Sequence, residues 1–369
     1  MKIIFSGGGT SGHVNPALNI AATIKKRYPD AEIMFVGTKH GIESTTVPKN
    51  GYPIEFVEVS GFSRKLTLKN IKAAYRAVTS VGKAKKIIKK FDPDLVIGTG
   101  GYVSWPTVKA ASKLKIPTLI HEQNAFPGVT TKMLSKCADR ICISFDGSEK
   151  FFDDSVKEKL ILTGNPIIVD NISREEAREK LGIPKDEPYV LSYGGSMGAR
   201  KVNELSYELK ERLTVPNHIL HSHAIGRVGF DEFSALAKEK GFDKKDNLMI
   251  SEYIYDMALR QAAADVIVCR AGAMTLAELA IRGRAAILIP SPHVTEDHQY
   301  KNARLLADAG AAMVFRETEI DGKILADTVR ELLENKNKRI RMEESIKKFA
   351  MPDSAELIAD NALSLVKNK

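Results

Sequence analysis

Residues 2–13, KIIFSGGGTSGH, run a short apolar segment straight into glycines. Ile3, Ile4 and Phe5 read as a strand buried on both faces, and residues 7–12 as the turn that leaves it. The following helix is expected to take Asn15 as N-cap and Pro16 as its first residue. Ala17, Ile20, Ala21 and Ile24 then recur at helical spacing on its inner face. Strand, glycine turn and helix in that order open a parallel α/β sheet. Residues 189–209 repeat the device, with the strand Tyr189–Tyr193, the turn Gly194-Gly195-Ser196-Met197-Gly198, and Val202, Leu205 and Leu209 on one helix face. A weaker echo pairs residues 137–143 (CADRICI) with 264–269 (ADVIVC), each an Asp leading into a buried strand.

A chain of 369 residues suits two such domains better than one core. Turn residues Gly164-Asn165-Pro166 mark the expected boundary. The division is therefore 1–163, 164–345, and a C-terminal helix at 346–369 that packs back on the first domain. Asp353 and Ser354 would cap that helix, with Ala355, Ile358, Ala362 and Val366 on one side.

Hydrophobic residues at 43% and charged residues at 27% are ordinary for a soluble globular protein. No apolar run approaches the roughly 18 residues of a membrane span. The stretch Ile3–Phe5 is too short for a signal peptide. Cys137, Cys142 and Cys269 form no metal-ligand pattern and read as free thiols in a reducing compartment. The net charge of +9 calls for an anionic partner. Ten Lys and Arg residues crowd positions 64–90, and Leu66, Leu68, Ile71 and Tyr75 interleave with the first of them. That mixture suits an anionic membrane surface, with Lys65, Leu66, Leu68, Lys69, Ile71 and Lys72 as the contacts. Few aromatics are present to stack on bases, so nucleic acid is not expected as a partner. A solvated helix face is the plainer alternative.

A glycine turn opening a helix aims backbone N–H groups at one point and suits an anion. No Lys-Ser/Thr pair closes either turn, as a P-loop would require, and no acid follows the second strand as in dinucleotide binders. His13 sits where a positive helix start favours a neutral imidazole. It is either a general base or a histidine that only hydrogen-bonds the turn. In Arg270–Glu278, small residues precede a helix that carries Thr275 and Glu278 on one side, and Glu278 could accept bonds from a ribose diol. The segment Asp297–Ala303, with Gln299, suits sugar hydroxyls, or is simply a helix capped by Asp297. Gly98–Tyr102 and His121–Asn124 follow further strands, at the carboxyl ends where open α/β sheets bind ligands. His121 and Glu122 have no third group spaced for zinc.

The pieces GGGTSGHVNPA, GTGGYVSWP, HEQNAFPG, GNP, GGSMGAR, CRAGAMTLAEL and DHQYKNA, in this order, closely resemble the MurG family of bacterial peptidoglycan transferases. That family adds N-acetylglucosamine to undecaprenyl-pyrophosphoryl-muramoyl pentapeptide. The resemblance implies a GT-B fold, two Rossmann-like parallel-sheet domains facing a central cleft. It also implies inversion at the anomeric carbon, UDP as leaving group, and no required metal or other cofactor, divalent-cation stimulation being left open. Carried over by position, Thr10, Ser11, Gly12, Asn124, Ser196, Ile254, Ala273, Met274, Thr275, Glu278 and Gln299 contact the donor, with Ser196 on the diphosphate, Ile254 on uracil and Glu278 on ribose. Gly100, Gly101 and Tyr102 fall to the acceptor, and His13 with Glu122 to catalysis. Ile168 stands where many members carry an Arg, leaving Arg200 or Arg270 to supply that charge. The implied partners are UDP-N-acetylglucosamine, the lipid-linked acceptor, an anionic membrane surface and other cell-wall proteins, at the cytoplasmic side of the cell membrane. The rival readings are a UDP-sugar epimerase and a non-catalytic nucleotide-binding membrane adaptor.

Overall fold

A computed structural model describes residues 1–59, 68–170 and 172–367, the side chains of 68–78 and 367 excepted. Lys65 and Leu66 of the expected membrane segment lie outside the described residues. Leu68, Lys69, Ile71 and Lys72 lie in a helix, Leu68–Phe91, at positions where only the backbone is described. The chain divides into two compact units, Met1–Ile168 with Met351–Lys369, and Val169–Ala350.

The first unit has seven strands: β1 (Lys2–Gly7), β2 (Glu32–Gly37), β3 (Ile54–Phe56), β4 (Leu95–Gly100), β5 (Thr118–Glu122), β6 (Arg140–Ile143) and β7 (Leu160–Leu162). They form one parallel sheet in the order β3-β2-β1-β4-β5-β6-β7. The second unit has β8 (Tyr189–Tyr193), β9 (Leu220–Ala224), β10 (Leu248–Ser251), β11 (Val266–Cys269), β12 (Ala285–Leu288) and β13 (Met313–Val314), ordered β10-β9-β8-β11-β12-β13 and again parallel. The central strands are apolar on both faces because helices cover both, so they read as continuous runs rather than alternations. Ile3, Ile4 and Phe5 are fully buried, as are Val190 and Leu191.

In both sheets the chain order reverses beside the first strand, between β1 and β4 and between β8 and β11. Loops leaving those strand pairs splay apart and open a crevice at the carboxyl ends. Both glycine turns therefore occupy the same topological place. The echo between residues 137–143 and 264–269 does not, since β6 is sixth in its unit and β11 fourth. The counterpart of Asp265 is Asp94. Asp94 accepts from the Lys2 N–H at 2.8 Å, and Asp265 from the Tyr189 N–H at 2.9 Å, each tying down the start of the neighbouring first strand. Asp139 does the same for Thr118 N–H at 2.8 Å. A carboxylate heading any inner parallel strand can satisfy the first amide of its neighbour, which is why the resemblance arose at a non-equivalent strand.

The first helix starts earlier than expected, at Ser11, with Thr10 as its N-cap; it ends at Arg27 and holds Pro16 inside. Proline lacks only the N–H that would bond Gly12 O, so one missing bond near the start is tolerated. Gly164-Asn165-Pro166, expected at the boundary, is pinned into the first unit, which runs on to Ile168. Asn19 Nδ2 donates to Pro166 O at 2.7 Å, and Asn165 Nδ2 to Gln123 O at 3.1 Å. In the C-terminal helix Ser354–Lys367, the buried residues Ile358, Ala359 and Ala362 join Ile3, Phe5, Ile20 and Ile24 in one apolar cluster. Arg27 pairs with Glu356 and Asp360 beside them.

The second unit buries an unusual polar group. Lys210 is fully buried, and its Nζ donates to Ser206 Oγ at 2.6 Å, with no carboxylate partner among the described residues. Ser192 Oγ lies 2.9 Å from Ser206 Oγ and 2.8 Å from both His221 Nε2 and His223 Nδ1. Burial drives the Lys210 ammonium well below its ordinary range and both imidazoles well below theirs. A lysine whose ammonium is disfavoured in the fold but not in the unfolded chain costs stability below about pH 10.5. Lys210→Met is therefore expected to raise Tm at pH 7, with the gain shrinking as pH rises toward that value. Calorimetry across pH 7–10 checks it, and a gain independent of pH would refute the lowered affinity of this amine for a proton. On the acid side, the unfolded chain binds protons on His221 and His223 below about pH 6.5 that the fold does not, so stability falls there.

Candidate active site

His13 lies in the first turn of the helix Ser11–Arg27, half-buried at the crevice between β1 and β4. Its Nδ1 is 3.1 Å from Thr99 O and 3.0 Å from Gln123 Oε1. Both neighbours are carbonyl oxygens, so Nδ1 carries the proton and a neutral ring keeps its lone pair on Nε2. Thr99 Oγ1 donates to His13 O at 2.7 Å, stitching β4 to the helix start. Gly100 has φ +103°, and a Cβ there would lie 2.6 Å from His13 Nδ1, so only glycine lets the ring sit against β4. The Gly98-Thr99-Gly100 segment, read as a loop, is the end of β4 itself, and His121-Glu122 likewise ends β5.

That strand placement separates two residues expected together. Successive strand residues face opposite ways. His121 and Gln123 join the His13 network, with Gln123 Nε2 2.9 Å from His121 Nδ1. Burial pushes the His121 imidazole down to about 4. Glu122 turns away and is committed to its own loop. Its Oε1 accepts from Asn124 N–H at 3.0 Å and Nδ2 at 3.1 Å, and its Oε2 from Gly128 N–H at 3.0 Å and Thr131 Oγ1 at 2.5 Å. With both oxygens accepting and the side chain buried, Glu122 shapes the loop that presents Asn124.

The first glycine turn has a support that sequence reading missed. The fully buried Glu43 accepts from Gly9 N–H at 2.9 Å, Thr38 N–H at 2.9 Å and Thr38 Oγ1 at 2.7 Å. A Cβ at Gly8, Gly37 or Gly41 would collide with the Glu43 side chain. Those glycines around one carboxylate were the available signal. On the far side of the turn, Tyr102 is partly exposed beside Gly9. Gly101 has φ +73° and abuts the Gly8 carbonyl. Thr10 and Gly12 are exposed and Ser11 half-buried; Thr10 makes no side-chain capping bond.

In the second unit, Ser196 lies exposed in the turn between Gly195 (φ +91°) and Gly198 (φ +84°). The helix Ala273–Arg282 begins after Gly272 with no side-chain cap. Met274, Thr275 and Glu278 are half-buried along its first turns. Gln261 Nε2 donates to Glu278 Oε2 at 3.1 Å and to Tyr193 Oη at 2.9 Å. Burial raises the Glu278 carboxyl above its usual range. Ile254 is buried, so its peptide and not its side chain is what a base could meet. Gln299 Oε1 accepts from Ser291 N–H at 2.9 Å, which orients its amide. Asp297 takes the N-cap position of the next helix, as expected, but its side chain makes no capping bond; its φ is +54° and its carboxylate pairs with Arg316 at 2.8 Å.

Neither arginine offered in place of Ile168 is unpaired. Arg270 bonds Glu317 at 2.5 Å and the carbonyls of Ile289 and Pro290, and Arg200 forks onto Glu232 at 2.9 and 2.7 Å. Ile168 itself is 56% exposed. Among the described residues no group of three or more His, Cys, Asp or Glu could hold a metal ion, and no helix is long and apolar enough to cross a membrane.

Two Rossmann-like units, each with glycine turns at its switch point, make the architecture of a GT-B glycosyltransferase. Residues 3–143 match the glycosyltransferase family 28 N-terminal domain and residues 189–358 its C-terminal domain. The chain is 47% identical over 371 residues to a protein of Acetivibrio thermocellus named UDP-N-acetylglucosamine–N-acetylmuramyl-(pentapeptide) pyrophosphoryl-undecaprenol N-acetylglucosamine transferase, covering 100% of this chain and 99% of that one. It is 31% identical to the solved Acinetobacter baumannii MurG, with a TM-score of 0.77 and 98% and 99% of the two chains covered. The chain belongs to glycosyltransferase family 28, within the MurG transferases. A UDP-GlcNAc 2-epimerase from Neisseria meningitidis shares only the fold, at 12% identity and a TM-score of 0.66 over 99% of this chain and 100% of that one.

Proposed function

We propose that this glycosyltransferase moves N-acetylglucosamine from UDP-N-acetylglucosamine to the C4 hydroxyl of undecaprenyl-pyrophosphoryl-N-acetylmuramoyl-pentapeptide, with inversion, in peptidoglycan synthesis for cell growth and division. The observation that carries the mechanism is the pair of carbonyl oxygens facing His13 Nδ1, which leaves Nε2 as the lone-pair nitrogen of a neutral ring. That nitrogen takes the C4 hydroxyl proton as the oxygen attacks the anomeric carbon from the face opposite UDP. The C1–O bond to the diphosphate breaks, and the departing charge is met by the Ser196 turn and the helix start at Ala273. Glu278 accepts from the ribose hydroxyls through Oε1, which no protein donor occupies among the described residues. Asn124 and Gln299 hold the sugar, and Gly100, Gly101 and Tyr102 meet the acceptor. No metal is required in this reading, and activity is expected to persist in chelator.

The test is transfer of labelled N-acetylglucosamine from UDP to a short-chain muramoyl-pyrophosphoryl lipid. A labelled β-1,4 disaccharide lipid supports the reading; epimer formed from the UDP-sugar alone, or binding without turnover, refutes it. Attachment to the cytoplasmic membrane surface follows from the same substrate and from the basic, apolar sequence at 64–90. Changing Lys65, Lys69 and Lys72 to Glu is expected to weaken sedimentation with phosphatidylglycerol vesicles at least tenfold, each Lys contributing about 1 kcal/mol. Unchanged sedimentation would assign these lysines to a solvated face.

A further inference from the structure

We infer that Gln123 is a positioning residue that selects the tautomer of His13, and that its own orientation is dictated from as far away as the Gly164 carbonyl. The inference rests on His13 being the base of the proposed transfer. An amide is the one kind of side chain that can show a histidine either an oxygen or an N–H, and so can impose either tautomer. Here it has no choice. Gln123 Nε2 lies 2.9 Å from Thr99 O, 3.1 Å from His121 O and 2.9 Å from His121 Nδ1. Flipping the amide would set its oxygen against two carbonyl oxygens. The third contact needs His121 Nδ1 to be an acceptor, and that is settled at the other edge of the ring. His121 Nε2 lies 3.0 Å from Gly164 O, which can only accept. It also lies 3.3 Å from Ser144 Oγ, whose proton is directed to Glu122 O at 2.6 Å, so that hydroxyl too can only accept. His121 therefore carries its proton on Nε2, Gln123 donates to Nδ1, and Gln123 Oε1 accepts from His13 Nδ1 at 3.0 Å. The sequence of donors and acceptors runs in one direction and ends with the lone pair on His13 Nε2.

Thr99 O alone would not secure this. It already takes the Gln123 amide, and one carbonyl at 3.1 Å does not fix the plane of a half-exposed ring. Among the described residues no carboxylate backs His13, in contrast to Asp–His pairs in which an acid holds the ring.

The full chain labelled with [15N]histidine, with the His13 signals identified by their loss in His13→Ala, reads the tautomer directly. The wild type is expected to show a protonated Nδ1 and a bare Nε2. Gln123→Met, which keeps the volume and removes the oxygen, is expected to give a tautomer mixture and about 10-fold lower kcat, with KM for donor and acceptor within about twofold. Gln123→Glu keeps an acceptor at Nδ1 but adds charge. It is expected to retain the tautomer and to move the acid limb of the kcat profile to higher pH, because the carboxylate stabilises the imidazolium. A wild-type His13 protonated on Nε2 overturns the inference. So does a Gln123→Met protein with the wild-type tautomer and kcat. Should Gln123→Met fail to fold, an unmoved acid limb in Gln123→Glu overturns it instead. The nitrogen spectra are independent of turnover, so failure of the transfer assay would remove the proposed function and leave the tautomer result standing.

Discussion

Replacing His13 by alanine is expected to lower kcat by about 10²–10⁴-fold, the range that general-base assistance supplies. UDP affinity should stay near the wild-type value, because the groups assigned to UDP are Ser196, Ala273–Glu278 and Ile254, all of which belong to the other unit. The imidazole is held through Nδ1 by Thr99 O and Gln123 Oε1, so its removal leaves those two oxygens facing water rather than burying a charge. The loss should therefore appear in the chemical step and not in folding. Steady-state kinetics with calorimetric titration of UDP separates the two. A mutant with near-normal kcat would take His13 out of the base role, and the imidazole would be left as a brace for the turn.

The second large effect falls on stability. Glu122→Gln is expected to cost about 2–3 kcal/mol, and so to lower the Tm of its unit by about 5–10 °C. Four donors converge on the carboxylate: two from Asn124, one from Gly128 and the Thr131 hydroxyl. An amide has one oxygen to offer. Whichever way it turns, its NH2 opposes either the Asn124 donors or the Gly128 N–H, and only the Thr131 hydroxyl can rotate to accept. Activity should fall with the order of the 122–131 loop. Normal Tm with collapsed kcat would instead restore Glu122 to the chemistry.

Both sheets are legible in the sequence because strands buried on two faces write unbroken apolar runs, as in Ile3-Ile4-Phe5 and Val266-Ile267-Val268. The glycine turns and His13 are legible for a different reason: a tight turn from strand to helix leaves few residues that fit. Helix starts are less so. Pro16 advertised a first position, yet the turn had already closed at Thr10. The partners of His13 were not legible, lying 86 and 110 residues away across parallel strands. One signal was present and went unused. In His121-Glu122-Gln123-Asn124 the period of two puts His121 and Gln123 on one side and Glu122 on the other, so the row was never a single wet cluster. The Lys210 site shows the opposite limit. Nothing in local spacing tells a lysine that ends a helix in water from one that ends it in the core.

Glu43 carries a consequence for how this turn could change over time. Its side chain fills the space that side chains at Gly8, Gly37 and Gly41 would need, while its carboxylate bonds Gly9 and Thr38. The positions therefore form one heritable unit. Alanine at any of the three glycines is harmful while Glu43 stands, and shortening Glu43 first vacates room but strands two amides. Every single step is penalised even where a double one fits, so the route between alternative forms of this turn passes through a worse protein.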